Sequence, residues 1–405
     1  MIAADVRQDA ASVVRALTDA VPDVVIATWG GTARAEMTAR SDLDLMCWNP
    51  SGAPLPEVDL GGGRYLDLVT CSGDASLLRS WARTNATDLH AVMFSRPVGG
   101  DPALLPAFQE VVGALWRDAT LRAREVVHLL ATATALPRVH GPHLQRPEKF
   151  GLGGTRGWTA LGECEALVDG RLRHRTTTAA LTALAARGEA DPCAPDAFAA
   201  AMLLRRRCES GDDATYDDHR AVYALLSSLY LTSARRLLSD RLPWLRDHAA
   251  TDVATLRLLS DGLLGDSGLG GAVPPDATDP QAADEGRSET ETMLRVFTAR
   301  SHRDVAALLA SPHGGSWWVR HAALMNSWTD AEALRRIIRH TERSGDWWGD
   351  RNLVLYAIRH PNSSFDLLDD IVRICPGLRL MDLEAVRVRR ATLDFSDHTP
   401  KLRDK

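Results

Sequence analysis

Hydrophobic and polar positions change their period along the chain. Apolar residues at helical spacing predict a helix over Val6–Ala20, and Leu77–Ala82 predicts another. Between them, short β-branched or apolar runs predict strands at Val24–Thr28, Leu43–Trp48 and Tyr65–Val69, the last two separated by the loop NPSGAPLPEVDLGGG. His90–Val98 fits either a strand or a helix end. From Pro102 onward strand signals fade. Helical patterns cover Ala107–Ala135, Trp158–Val168, Thr178–Arg187, Ala197–Cys208, Asp217–Asp240 and Leu242–Leu263. The stretch 265–290 is rich in Gly, Pro, Asp and Glu, which cannot build a core and predicts a flexible acidic linker.

After that stretch the helical period returns with a weak internal repeat. WWVRHAALMNSWTDAEALRRII and WWGDRNLVLYAIRHPNSSFDLLDDIV each carry a Trp pair, a helix, a polar turn and a second helix. The pairs are Trp317-Trp318 and Trp347-Trp348, read as core of the repeat because their spacing follows it. Two helices per unit point to an α-solenoid, HEAT-like or a leucine-rich variant, with Val305–Leu309 as a degenerate earlier unit. The expected division is a mixed α/β domain at 1–106, a helical domain at 107–264, the linker at 265–290 and a helical-repeat domain at 291–395.

Composition removes several function classes. The 405 residues carry a net charge of −6, so no global basic excess suggests a nucleic-acid partner. Apolar runs such as Ala197–Leu204 are too short to span a bilayer, and the first residues lack a basic-then-apolar leader. The six cysteines form no CxxC pair, which argues against a zinc site or disulfide framework and fits a reducing cytoplasm.

The chemistry concentrates in GGTARAEMTARSDLDL. In a strand, residues i and i+2 share a face, so Asp42 and Asp44 project together while Leu43 faces the other way. Two carboxylates that close repel unless a cation lies between them. Mg²⁺ suits the pair, because it takes oxygen ligands and completes its shell with substrate phosphates. Gly30 and Gly31 allow close backbone approach and present N–H groups to a phosphate. Asp67 in RYLDLVT adds a third carboxylate if its strand lies beside the Asp42–Asp44 strand; the plainer reading is an edge-strand Asp facing solvent, and Asp59 is the rival acid. Three such acids can hold two Mg²⁺ ions about 3.5–4 Å apart.

The spacing Gly30-Gly31-x-x-Arg34-x-Glu36 followed by Ser41-Asp42-x-Asp44-Leu45 resembles the signature of the nucleotidyltransferase superfamily, in particular its PII-protein uridylyltransferase branch. TDLHAVMFSRPVGGDPALL (Thr87–Leu105) is similar to the segment that closes that branch's catalytic domain, and EKFGLGGTRGW (Glu148–Trp158) resembles its Lys…Gly-Gly-Leu-Arg-Asp motif. The likeness covers roughly residues 10–170 and, more weakly, the helices to about residue 240. It departs at Ala33 and Ala35, where glycine is usual, at Thr155 for Leu and at Gly157 for Asp. No His-Asp pair and no C-terminal βαββαβ pattern occur, so neither the hydrolase nor the glutamine-sensing part is expected.

The resemblance implies an α+β nucleotidyltransferase fold, a mixed sheet flanked by helices, followed by an all-α domain that closes the nucleotide cleft. It implies a cytoplasmic, Mg²⁺-dependent transfer of a nucleotidyl group (uridylyl, adenylyl or cytidylyl) from a nucleoside triphosphate to an acceptor oxygen, with pyrophosphate released. A small-molecule acceptor is slightly favoured over a protein side chain docked on the repeats. Asp42, Asp44 and Asp67 are the expected catalytic and metal-binding residues. Gly30, Gly31, Thr32, Arg34, Ser41, Lys149 and Arg156 are the expected phosphate-binding residues. Each has a plainer reading: Arg34 and Glu36 as a surface pair, Thr32 and Ser41 as caps, and Lys149 and Arg156 as a solvated loop. Arg205–Arg207 reads as a solvated helix face. The tract Arg171–Arg175 could meet an anionic substrate, although surface basic residues are commoner. The alternative to an enzyme is a degenerate transferase fold that docks a partner through its repeats.

Overall fold

A computed structural model describes residues 2–38, 41–56, 58, 66–83, 86–140, 147–210, 219–248, 256, 259, 289–344, 353–354, 356–358, 360–374 and 386–390. The chain forms two compact units, Met1–Gly271 and Ala272–Lys405. The boundary falls within 265–290, and of that stretch only 289 and 290 are among the described residues, as helix. Asp59, Tyr65, Trp347 and Trp348 also lie outside the described residues.

The first unit is α+β and begins with α1 (Ile2–Ala20), β1 (Val25–Thr28), the five-residue α2 (Gly30–Arg34), β2 (Leu43–Asn49) and β3 (Leu66–Ser72). It continues with α3 (Ala75–Ala82), α4 (Ala86–Met93) and β4 (Arg96–Gly100). The ambiguous His90–Val98 stretch is thus both a helix end and a strand, broken where the Ser95 hydroxyl caps back onto the Val92 carbonyl. The four strands form one mixed sheet in the order β3-β2-β1-β4. β1 pairs antiparallel with β2 and β4, while β2 and β3 run parallel.

Alternation along the strands sorts the two faces. Leu43, Leu45 and Cys47 join Ile26, Val13 and Leu17 in a buried cluster between the sheet and α1. Leu66 and Leu68 of β3 pack against the same cluster. The other face carries Asp44, Met46 and Trp48, and the Trp48 ring stacks on Phe108 of α5 (Leu105–Arg117) at 6.2 Å. Burying residues of this size contributes about 1.5–3 kcal/mol each, so the apolar alternation fixes the register. Asp44 is the polar exception.

The helices that follow are α6 (Ala119–His140), α7 (Pro147–Phe150), α8 (Thr155–Asp169), α9 (Thr177–Ala186), α10 (Ala194–Ser210) and α11 (Arg220–His248). The expected single helix over Ala107–Ala135 is two, because Asp118 leaves helical geometry and its Oδ1 accepts the Leu121 N–H at 3.1 Å. The expected break between residues 240 and 242 is absent, and α11 runs through Pro243. α8 is buried on nearly all sides, between α6 and α9.

In the second unit, helices Glu289–Thr298 and His302–Leu309 precede Trp317–Leu324 and Ala331–Ser344, and then Phe365–Ile374. Leading helices stack on leading helices and trailing ones on trailing ones. Among the described residues, no helix is long and apolar enough to cross a membrane.

Candidate active site

The turn between β1 and β2 is built around the Asp44 carboxylate. Gly30 has φ +55°, and a Cβ there would lie 2.6 Å from Asp44 Oδ2. Only glycine gives both the left-handed backbone and this approach. The Gly31 N–H donates to Asp44 Oδ2 at 3.0 Å. The Asp44 N–H donates in turn to Thr32 Oγ1 at 2.9 Å, so Thr32 ties the turn to β2 and does not cap the helix. Burial raises the Asp44 pKa above its ordinary value; Lys149 opposes this, the neighbouring Asp42 adds to it, and Arg34 opposes it again.

Short α2 ends at Ala35, the one described residue other than glycine in the left-handed region, with φ 57°. The Glu36 N–H reaches the Gly31 carbonyl and the Ala35 N–H reaches that of Thr32, at 3.1 and 3.2 Å. This is the Schellman pattern, in which the left-handed position is ordinarily glycine. Ala35, where the resembled motif has glycine, therefore sits in a conformation that disfavours alanine.

Parallel pairing sets Asp44 directly beside Asp67 in register, on the same face of the sheet. Asp42 immediately precedes β2. Asp67 is exposed and Asp42 and Asp44 are half-buried. The backbone thus brings the three predicted acids to one end of the β2–β3 pair. Their side chains are not drawn together: among the described residues no group of three or more His, Cys, Asp or Glu is arranged to hold a metal ion.

Cationic groups surround Asp44. Arg34 is largely buried, with Nε donating to Glu36 Oε2 at 3.0 Å and Nη1 paired with Glu163 of α8. Glu36 also receives the backbone N–H and the hydroxyl of Thr177 at the start of α9. Arg34 and Glu36 are therefore not a surface pair; they clasp the turn to α8 and α9. Lys149 acts on Asp44 from α7, and Arg156, exposed in the first turn of α8, lies in the field of Glu163 and Asp44. Gly157 follows it, and a Cβ there would lie 3.0 Å from the Tyr230 ring, so Tyr230 of α11 occupies the room an aspartate would need.

The Ser41 hydroxyl is engaged within the protein: it accepts the Thr38 N–H at 2.9 Å and an Arg205 N–H at 3.0 Å. Arg205 is buried and also paired with Glu209 at 3.0 Å, which corrects the solvated reading for this residue; Arg206 and Arg207 are exposed.

Sequence reasoning missed His90, Glu125 and Glu163. His90 Nδ1 lies 3.0 Å from Glu125 Oε1, and His90 Nε2 lies 3.4 Å from Glu163 Oε1. Burial alone would lower the His90 pKa, but Glu163 and Glu125 raise it to about 9. Burial alone would raise that of Glu163, but His90 and Arg34 hold it at about 2. The signal was there: carboxylates at 163 and 165 inside an otherwise apolar helix need buried partners. Comparison with known protein families, curated proteins and solved structures finds no match to this chain.

Proposed function

We propose that the first unit is a Mg²⁺-dependent nucleotidyltransferase that moves a nucleoside monophosphate from a triphosphate to an acceptor oxygen and releases pyrophosphate. The observation that carries this reading is the register of Asp44 beside Asp67, next to a glycine turn that closes on Asp44. The mixed sheet with α1 and α5 against its faces is compatible with the expected fold.

The donor chemistry fits a hard divalent cation: oxygens only, with one half-buried carboxyl beside a like charge and its pKa raised. Asp42, Asp44 and Asp67 would hold Mg²⁺, which supplies neutralisation of phosphate charge and activation of the acceptor oxygen. The remaining work falls to the chain. Lys149 and Arg156 set positive charge around Asp44, matching a polyanionic substrate. Gly30 and Gly31 keep side chains away from the phosphates. The clasp from Arg34 and Glu36 to α8 and α9 holds the turn in place. In the transfer, an acceptor oxygen bonds to the α-phosphorus as the bond to the bridging oxygen breaks. Pyrophosphate leaves with that electron pair, and Asp67 is assigned the acceptor proton.

The test is Mg²⁺-dependent thermal stabilisation by each of the four triphosphates. At 100 times its Kd a ligand stabilises by about 2.7 kcal/mol. Wild type is expected to respond to at least one triphosphate, with Asp44→Asn and the exposed Asp67→Asn losing the response. Equal stabilisation of all three proteins would sink the proposal.

A second reading, a regulatory protein on a retired site, draws on the Asp44–Gly31 bond, which satisfies the turn from within. Calorimetry separates the two: no metal-dependent triphosphate binding would favour it.

A further inference from the structure

Beside the α2 turn lies a narrow, shallow cleft open to solvent. Phe94 and Leu172 give it an apolar wall, while Arg34, Arg96 and His174 line it with cationic or titratable groups. Arg175, from the tract Arg171–Arg175, lies next to the lining: its backbone carbonyl accepts an Arg96 Nη2–H at 3.4 Å, and its charge acts on Arg96. The other charges here are matched. Arg34 is neutralised by Glu163 and Glu36, and His174 lies 3.5 Å from Glu165. Arg173 beside them is paired with Asp169 at 3.3 Å. Arg96 and Arg175 are the exception, with no carboxylate at ion-pair distance from either among the described residues. Glu36, which acts on Arg96, is already held by Arg34 and Thr177.

Arg96, half-buried in the cleft lining and repelled by the charge of the neighbouring Arg175, is set up with it for a shared anion. Their planar donor forks match a carboxylate or phosphate. We propose that this cleft binds the oxyanion of a small organic acid, seated on Arg96 and Arg175, with its apolar body against Phe94 and Leu172. Its role as the acceptor site of the transferase rests on the function proposed above; the binding itself does not.

The probes are phenyl phosphate and benzoate, with benzyl alcohol as the neutral counterpart, titrated by calorimetry into the full chain. Both acids are expected to bind wild type and the alcohol not. The stronger acid identifies the anion as phosphate or carboxylate. Arg175→Gln, at an exposed position that leaves folding intact, and Arg96→Gln should each weaken binding at least about tenfold, the loss of one good charge-assisted contact. Both variants should keep Mg²⁺-triphosphate binding, and Asp44→Asn should keep acid binding. The proposal is overturned if the alcohol binds as well as the acids, or if the arginine variants bind the acids like wild type. Displacement of phenyl phosphate by a triphosphate, one for one, would give the cleft to the nucleotide and overturn the acceptor role. Acid binding without triphosphate binding would defeat the transferase reading alone.

Discussion

Alanine 35 occupies backbone that costs an L-residue about 1–2 kcal/mol, and the Schellman turn leaves it no alternative. Ala35→Gly removes that cost and adds unfolded-chain entropy of about 0.4–1 kcal/mol. The expected outcome is a gain of up to about 1 kcal/mol in chemical denaturation. At this scale the sequence was informative where geometry is local. The two glycines predicted a close backbone approach, expected towards a phosphate; in the structure Gly30 and the Gly31 N–H meet Asp44. Gly157 looked like a lost aspartate because Tyr230, which fills its place, lies 73 residues away in sequence.

Between elements, the buried set Arg34, Glu36, His90, Glu125 and Glu163 joins the turn to α4, α6, α8 and α9. Its pH dependence follows from the shifts. His90 has a folded pKa near 9 against an ordinary 6.5, so its contribution is full below 6.5 and is lost as pH rises through 9. Glu163 has a folded pKa near 2 against 4.5, so its contribution is full above 4.5 and is lost as pH falls towards 2. Stability from this set should therefore be flat between 4.5 and 6.5 and fall on both sides. Each full shift corresponds to about 3 kcal/mol, shared by the pair and not counted twice. Glu163→Gln should flatten both limbs in urea titrations across pH, and an unchanged profile would refute the coupling. Strand positions were readable from alternation, and helices from their period. The clasp was not, because a bond from Arg34 to Glu163 across 129 residues leaves no local pattern.

At the scale of the whole molecule, each unit has its own device. In the second, the Asn326 amide donates to the Val296 and Ala299 carbonyls at 2.6 and 2.9 Å. His360 occupies the equivalent place one repeat later, four residues before a helix cap, and its Nε2 donates to the Asn326 carbonyl at 3.0 Å. Its Nδ1 accepts the Asn362 N–H at 3.1 Å, which satisfies the neutral ring. Burial lowers the His360 pKa, so its contribution is present above 6.5 and is lost as pH falls. Asn326→Ala should destabilise this unit by about 3 kcal/mol, since it strands buried carbonyls, and should speed amide exchange in Trp317–Leu324. The repeat was visible in the sequence as paired polar turns, NSWTD and HPNSS. That Asn and His play the same part in them was not, because the two side chains share no chemistry except an N–H at similar reach.

Among the described residues β3 is the outer strand of the sheet, with Asp67, Thr70 and Ser72 exposed and only Cys71 of the strand buried. An edge strand opens at a lower free energy than the core it borders. If the first unit is the transferase proposed above, local fraying of β3 would withdraw Asp67 while Asp44 stays with the central β2. Its competence would then follow a local equilibrium. Heating should silence it before the fold melts, and whatever braces β3 would become a control point on that activity.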